Sequence, residues 1–317
     1  MSKISTFMYL IKNDRKTIGK AFFDNFSKTR LSHLLSDKQY LKLQYRIYLG
    51  KKLDLKNPKT FNEKLQWLKV NDRKPLYIRI ADKYDVREYV KALFGEEYLI
   101  PIYAMWENVE DIDFDILPNE FVMKCTHDSG SVVVCRDKSS LDKEKAINKI
   151  RQGFSRNLYH YAREWQYKDI KPRIIVEKLL VEDDDIGKTK PTGIVDYKFF
   201  VFNGVPKFYY ASRGLENHAT ASISFYDLNG NKMPFSRSDY KDFGCAITPI
   251  HLDEMIKLAQ KAGETIGSDF IRVDFYEIGG KVYFSEFTLH PCAGLMPIVP
   301  QEWDSILGDW IKLHKNK

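Results

Sequence analysis

Along the first 80 residues, apolar side chains recur every three or four positions; from about residue 120 they gather instead into short runs of strand type. The first spacing puts one greasy stripe on a helix, and the second suits pleated strands. LSHLLSDKQYLKLQYRIYLG places Leu31, Leu34, Leu35, Tyr40, Leu43 and Ile47 at helical spacing and stops at Gly50. NPKTFNEKLQWLKV begins with a Thr60–Glu63 capping box and carries Leu65 and Leu68 on one face. ADKYDVREYVKALFG predicts a further helix ending at Gly95. Later, NEFVMKC, SVVVC, PRIIVEKLL, VDYKFFVF, VPKFYYA and SISFYD read as strands, with Asn203-Gly204 and Asn229-Gly230 as hairpin turns. LDKEKAINKIRQGFSRNLYHYARE and HLDEMIKLAQKAGETIG interrupt them as helices, and the hairpin IRVDFYE/KVYFSEFT closes the series. No internal repeat or low-complexity linker is evident. The expected layout is α+β: a helical N-terminal part, then mostly antiparallel sheets with packed helices.

That last hairpin raises the chemical question, because Asp274 and Glu286 sit among core-type residues, where acidic side chains need partners. Alternation puts Arg272, Asp274 and Tyr276 on one face of its first strand and Glu286 and Thr288 on one face of the second. Their meeting depends on the turn. A two-residue Gly279-Gly280 loop sets Asp274 opposite Ser285, away from Glu286. A three-residue loop with Ile278 sets Asp274 opposite Phe284 and Arg272 opposite Glu286, so that the polar groups converge, and this is the expected form. The result would be either a salt-bridged hairpin or a hard oxygen site suited to Mg²⁺.

Two other stretches carry candidate chemistry. In FVMKCTHDSGSVVVC, Lys124 precedes the small-residue turn 126–131, which can expose successive backbone N–H groups to an anion. In RIIVEKLLVEDDD, Glu177 interrupts an apolar strand, either as an ion-pair partner of Lys178 or Lys198 or as a group that reads a base edge. DDDIGKTK is not a phosphate-binding P-loop, since position 182 is Glu where that motif needs Gly.

Composition narrows the setting. With 317 residues and 44% hydrophobic content, the chain can bury a sizeable core. Cys125, Cys135, Cys245 and Cys292 form no CxxC pair, which suits a reducing cytoplasm. No signal peptide and no spanning segment is read from the sequence. Residues 1–60 hold 14 Lys or Arg against 4 Asp or Glu, a local balance of +10 in a chain of +7 overall, which leaves −3 for the rest. The basic segment is either a solvated helical face or a contact for an anionic partner: a membrane surface, a lipid-linked acidic glycan or nucleic acid. Nucleic acid is not expected, and the expected location is cytoplasmic, with peripheral contact at the inner membrane face as the alternative.

The order of these pieces resembles the ATP-grasp superfamily. More narrowly, FNEKLQWLKVNDR, ADKYDVREYV, FVMKCTHDSGS, RVDFY and SEFTLHPCAG resemble the TupA-like ATP-grasp proteins of bacterial surface-polysaccharide and teichuronopeptide clusters, over roughly residues 57–297. The resemblance implies a basic helical region at 1–80, a small lobe at 81–118, a nucleotide-binding lobe at 119–181 and a C-terminal lobe with a metal site at 182–317. It implies that Lys83 and Lys124 contact ATP phosphates, that Ser129, Gly130 and Ser131 close over them, and that Glu177, Lys178 and Leu180 hold adenine. Asp184 falls near the ribose, and Lys198 joins the ATP set. Asp274 and Glu286 match metal carboxylates, with Thr288 where many relatives have Asn. The implied reaction is ATP-dependent joining of a carboxylate and an amine through an acyl phosphate, with Arg272 and Lys124 as catalytic groups. The partners would be an acidic sugar or lipid-linked glycan carboxylate and an amino acid or amino sugar. His127, Arg213 and His218 are the candidates for gripping the acidic substrate. The rival readings are a non-catalytic nucleotide-binding or scaffold protein and a sugar-nucleotide glycosyltransferase, for which Asp111-x-Asp113-x-Asp115 offers the letters in a loop-like context.

Overall fold

The computed structural model describes residues 15–182, 193–215 and 221–314, with side chains from residue 17. Two helices open it, α1 (Arg15–Ser27) and α2 (Asp37–Leu49). The single long periodic stretch expected at residues 31–49 is divided: Arg30–Leu34 forms a 3-10 turn, Ser36 starts α2, and Gly50 ends it in the left-handed region. The buried face of α2 is Tyr40, Leu41, Gln44 and Tyr45, whereas Leu31 and Leu34 are 65% and 81% exposed. The break at Ser36 rotates the earlier leucines off the core stripe. Helix α3 (Phe61–Asn71) has the expected Thr60–Glu63 capping box, with Leu65 and Leu68 buried. Helix α4 (Pro75–Ala81) stops at Asp82, and α5 (Val86–Leu93) follows after a turn, so Lys83 lies between two helices and does not open one.

The first sheet contains β1 (Ile102–Trp106), β2 (Phe121–Cys125), β3 (Val132–Cys135) and β4 (Ile174–Glu177), antiparallel in the order β1-β4-β2-β3. Helix α6 (Lys143–Phe154) packs on it through Ala146 and Ile150, and the short α7 (Leu158–Ala162) leads away. The second sheet contains β5 (Asp196–Phe202), β6 (Val205–Arg213), β7 (Ser222–Asp227), β9 (Phe270–Ile278) and β10 (Lys281–Thr288) in the order β10-β9-β5-β6-β7. The two-residue β8 (Ser236–Arg237) pairs with β11 (Ile298–Val299). Helix α8 (Leu252–Ile266) covers one face of the second sheet, packing with Tyr197, Tyr209, Val273 and Phe275 in one core. Helices α3 and α9 (Glu302–Trp310) join Phe200, Phe208, Tyr210 and Phe225 in the core on the other face.

Asn203-Gly204 makes the expected two-residue turn, both residues at positive φ. All four cysteines are free. Among the described residues no helix is long and apolar enough to cross a membrane.

Candidate active site

The hairpin β9–β10 has a two-residue Gly279-Gly280 turn, because Lys281 pairs with Ile278. Both glycines have positive φ, 57° and 69°, the backbone such a turn requires. The three-residue loop expected from the sequence is therefore not what forms. Convergence arises differently: the register shifts between Phe284 and Glu286, and this bulge sets Glu286 opposite Asp274 and Thr288 opposite Arg272. One extra residue in the strand does what the longer turn was expected to do.

The outcome is a tight cluster on the face shared by β5, β9 and β10. Arg272 donates from Nε to Asp274 Oδ1 at 2.7 Å and from one terminal nitrogen to Asp274 Oδ2 at 2.6 Å. The same nitrogen reaches Glu286 Oε1 and Thr288 Oγ1, each at 2.9 Å. Lys198, opposite Asp274 in the β5–β9 register, donates to Asp274 Oδ2 at 2.6 Å and also to Asp196. Asp274 is 0% exposed and Glu286 is 39% exposed at its side chain. Burial works against charge on Lys198 and Arg272, yet their carboxylate partners outweigh it and hold both well above their ordinary values. For Glu286, burial again opposes ionisation, but Lys198, Arg272 and Lys83 pull its pKa down to about 2. Lys198 and Arg272 thus face the three carboxylates of Asp196, Asp274 and Glu286, and Lys83, acting on Glu286, brings the set to charge balance.

Lys83 ties this face to the first sheet. Its Nζ donates to the Asp128 carbonyl at 2.7 Å, its backbone N–H donates to the Thr126 carbonyl, and it lies within electrostatic range of Glu286 and Lys124. Burial, assisted by Lys124, lowers its proton affinity, against the pull of Glu286. Asp82 sets the turn. Its Oδ1 accepts from the N–H groups of Tyr84 and Asp85, and its Oδ2 accepts from Thr126 Oγ1 and Arg173. Tyr167, in a 3-10 turn (Trp165–Tyr167), lies in the field of Glu286, Arg272 and Asp128; burial and then Glu164 raise its hydroxyl well above the usual value.

On the first sheet, Lys124 Nζ lies 2.6 Å from Glu177 Oε2, and Arg87 lies 3.9 Å from the other Glu177 oxygen. Glu177 therefore pairs with Lys124, and not with Lys178 or Lys198. The backbone N–H of Lys178 is bound by the Pro101 carbonyl, and Leu180 is buried. Ser129 and Gly130 are exposed at the tip of the β2–β3 loop, whereas Ser131 is buried against Gly153 of α6. A Cβ at Gly153 would come within 2.2 Å of the Ser131 Cβ, so that glycine lets the loop seat.

Of the residues expected to grip an acidic substrate, His127 is buried beside Phe154, with Nε2 at the Arg156 carbonyl. Arg213 is at odd register with Ala211 and Tyr209, the face of β6 turned away from Lys198 and Tyr210, so it is not brought to the cluster. His218 and Asp184 lie outside the described residues.

The donor set Asp274, Glu286 and Thr288 is all oxygen, which fits Mg²⁺ shared with phosphate oxygens. Both oxygens of Asp274 are engaged by Arg272 and Lys198, which makes Glu286 the more accessible donor. Among the described residues, no group of three or more His, Cys, Asp and Glu side chains is arranged to hold a metal by itself.

Sequence reasoning gave no role to Asp82, Asp196, Arg156 or Tyr167. Asp196 and Lys198 are two apart in a strand, so their shared face was legible. Asp82, Arg156 and Tyr167 come from turns whose placement only tertiary packing determines.

Comparison with known proteins follows this geometry. No curated protein matches the chain at a significant level. Solved structures that it resembles include a D-alanine–D-alanine ligase from Bacillus anthracis complexed with ATP, at 15% identity and TM-score 0.38, covering 67% of this chain and 54% of that one. The corresponding ligase from Helicobacter pylori gives 16% and 0.38, covering 75% and 64%. The ATP-grasp ligase PsnB complexed with a minimal precursor gives 12% and 0.38, covering 75% and 62%. The chain thus spans between about half and two thirds of the length of these three. The family model described as TupA-like ATPgrasp matches residues 63–312, most of the chain. The chain belongs to the TupA-like ATP-grasp family, and its antiparallel sheets with packed helices are an ATP-grasp fold.

Proposed function

We propose that the protein is an ATP-dependent carboxylate–amine ligase acting on a uronic-acid-containing bacterial surface glycan. The observation that carries the ligase reading is the single face on which Arg272, Asp274, Glu286, Thr288 and Lys198 meet, with Lys83 linking it electrostatically to Lys124. A carboxylate oxygen of the acceptor attacks the γ-phosphorus of ATP, the bond to the β–γ bridging oxygen breaks, and ADP leaves an acyl phosphate. An amine nitrogen then attacks the carbonyl carbon, phosphate departs and the amine loses a proton. No protein nucleophile is needed, so positioning and charge stabilisation carry the catalysis.

In this reading Lys83 and Lys124 bind phosphate oxygens, and the tip of the 129–131 loop covers them. Glu177, Lys178 and Leu180 form the adenine side. Arg272 stabilises the charge of the acyl phosphate and of the tetrahedral state. Mg²⁺ held by Asp274, Glu286 and Thr288 would supply neutralisation of the phosphate charge. The donor would be an amino acid or amino sugar. The protein would act at the cytoplasmic side of the membrane.

The test is ADP release from Mg-ATP, screened over uronic acids with amino acids and amino sugars. Release that requires both a carboxylate and an amine supports the ligase. ATP binding with no turnover under any pairing supports a nucleotide-binding scaffold and overturns it.

A further inference from the structure

The positive charge of this protein is concentrated in its first two helices. Residues 15–49 hold eight Lys or Arg against two Asp and no Glu. Both acids are engaged: Asp24 accepts from the Tyr48 hydroxyl, and Asp37 accepts from Arg73 and from the Tyr159 hydroxyl. The cations are therefore not balanced within the helix pair.

Their arrangement on α2 is regular. Lys38, Lys42 and Arg46 stand at i, i+4 and i+8, so one exposed stripe carries all three along roughly 12 Å of helix. None of them pairs with a carboxylate among the described residues. Like charges at this spacing repel one another. An anionic surface laid against the stripe removes that repulsion and replaces it with attraction.

Apolar side chains stand beside the cations. Leu43, between Lys42 and Arg46 in the chain, is 40% exposed. Helix α1 runs antiparallel to α2. A Cβ at Gly19 would lie 3.8 Å from the Ile47 side chain, while Phe23, further along α1, meets Tyr40, further back in α2, at 5.1 Å between ring centres. Phe22 is one turn from Gly19, and Leu43 is one turn from Ile47, so both come to the same side of the pair; Phe22 is 75% exposed. Where the two helices are joined, Leu31 and Leu34 eclipse one another on the 3-10 turn, and both are exposed. Single exposed leucines are ordinary. Four large apolar side chains left in water along a row of unpaired cations are not.

The combination discriminates among polyanions. A nucleic acid or an acidic peptide would answer the cations and leave Phe22 and the leucines in water. A bilayer answers both, because anionic headgroups meet the cations while the apolar tips enter the boundary between headgroups and acyl chains. We propose that the outer face of the α1–α2 pair docks on an anionic lipid surface, with Lys38, Lys42 and Arg46 on the headgroups and the exposed Phe and Leu side chains beside them inserted. The contact is peripheral and reversible. It goes beyond the ligase reading and does not depend on it, since a nucleotide-binding scaffold could dock in the same way.

The test is flotation of the full chain with vesicles of phosphatidylcholine and phosphatidylglycerol, beside vesicles of phosphatidylcholine alone. Binding is expected to the anionic vesicles only, and to weaken as salt rises. Lys38→Gln/Lys42→Gln/Arg46→Gln is expected to raise the lipid concentration at half-binding at least about tenfold, because each cation close to an anionic surface contributes a several-fold attraction. Phe22→Ser/Leu34→Ser keeps every charge and is expected to raise it at least about threefold, through lost insertion. A charge-matched control, Lys257→Gln/Lys261→Gln/Lys281→Gln on α8 and β10, is expected to float like the unaltered protein. All eight positions are exposed, so thermal melting should stay where it is in every variant. No flotation of the unaltered chain with anionic vesicles, or equal loss in both lysine-type triples, overturns the proposal. Unchanged flotation of Phe22→Ser/Leu34→Ser also overturns it, because charge alone is then being read. So does half-binding of a labelled DNA oligonucleotide at a lower phosphate concentration than anionic lipid, because the partner is then a nucleic acid. ADP release is read separately. A chain that floats but never turns over leaves this inference standing while the ligase reading falls, and a chain that turns over but does not float does the reverse.

Discussion

Among the described residues two lysines are almost entirely removed from water, and they are held in opposite ways. Lys198, on the cluster face of the second sheet, lies between the carboxylates of Asp196 and Asp274. Lys69, under the positive-φ turn at 292–294 after β10, has only the carbonyls of Ala162 and Ala293, at 2.8 and 2.7 Å. Burial penalises both ammonium groups. Two full negative charges outweigh that penalty at Lys198 and keep its proton far above the ordinary range. Two dipoles do not outweigh it at Lys69, where burial, against the weak pull of Glu164, brings the pKa down to about 8. A buried cation matched by anions is part of a charge-balanced site. One matched by carbonyls is a strut that props a strained turn, and its charge is negotiable.

The sharpest way to break this contrast is to remove Lys198. Lys198→Met leaves Asp196 and Asp274 facing each other with only Arg272 to balance them. The expected cost is about 3–5 kcal/mol of stability, the range for breaking a buried pair by deleting one partner, measured by urea denaturation. A loss below about 1 kcal/mol would mean that the carboxylates are not dependent on Lys198. Next is Glu286→Gln. Lys198, Arg272 and Lys83 hold its carboxylate ionised, so the fold should lose stability as well, though less than in Lys198→Met because the side chain is 39% exposed to screening water. Activity should fall by about 10²–10³, the usual effect of losing one preorganised electrostatic contact. ADP release that stays at the unaltered rate would show that Glu286 is not part of the chemistry.

The contrast also shows what the sequence could and could not reveal. Strand alternation with period two made Arg272 with Asp274, and Glu286 with Thr288, legible as same-face pairs, and their convergence was expected through a three-residue Ile278-Gly279-Gly280 loop. The route to convergence was not legible. A bulge at residue 285 is a one-residue irregularity that no periodicity announces, and the turn length expected from the sequence was therefore too long. The Thr60–Glu63 cap and the Asn203-Gly204 turn were readable because their determinants are local. The split of the first long helical pattern at Ser36 was not, since the exposed Leu31 and Leu34 mimic a core stripe. Nothing local in the sequence around Lys69, two turns beyond that cap, marks it as buried. Only the docking of α3 under the left-handed turn at 292–294 buries it.

Lys69 gives the third prediction, and pH is the probe. Its pKa is about 8 in the folded protein and 10.5 as an ordinary lysine. The unfolded chain therefore binds this proton more tightly than the folded one between those two values. Stability from this group rises as pH climbs from about 8 to about 10.5 and carries its full penalty below that window. The rise should be on the order of 3 kcal/mol, read from urea midpoints across the window. Lys69→Met should flatten the profile. A profile that stays equally steep in the variant would assign the rise to other groups.

The smallest effect concerns how α3 is anchored, and it asks whether the strut depends on its helix or on the turn above. Thr60 Oγ1 accepts from the Glu63 N–H at 3.2 Å, and Glu63 Oε2 accepts from the Thr60 N–H at 3.1 Å. Thr60→Ala removes one half of this reciprocal cap and should cost about 1 kcal/mol. Lys69 lies more than two turns from the cap and is gripped by carbonyls from elsewhere in the chain, so its pKa should not move. The alkaline stability rise should therefore persist in Thr60→Ala with the same slope and a lower offset. If the slope falls with the offset, the cap and the buried ammonium form one cooperative unit, and the carbonyls of Ala162 and Ala293 are not by themselves sufficient to hold Lys69 in place.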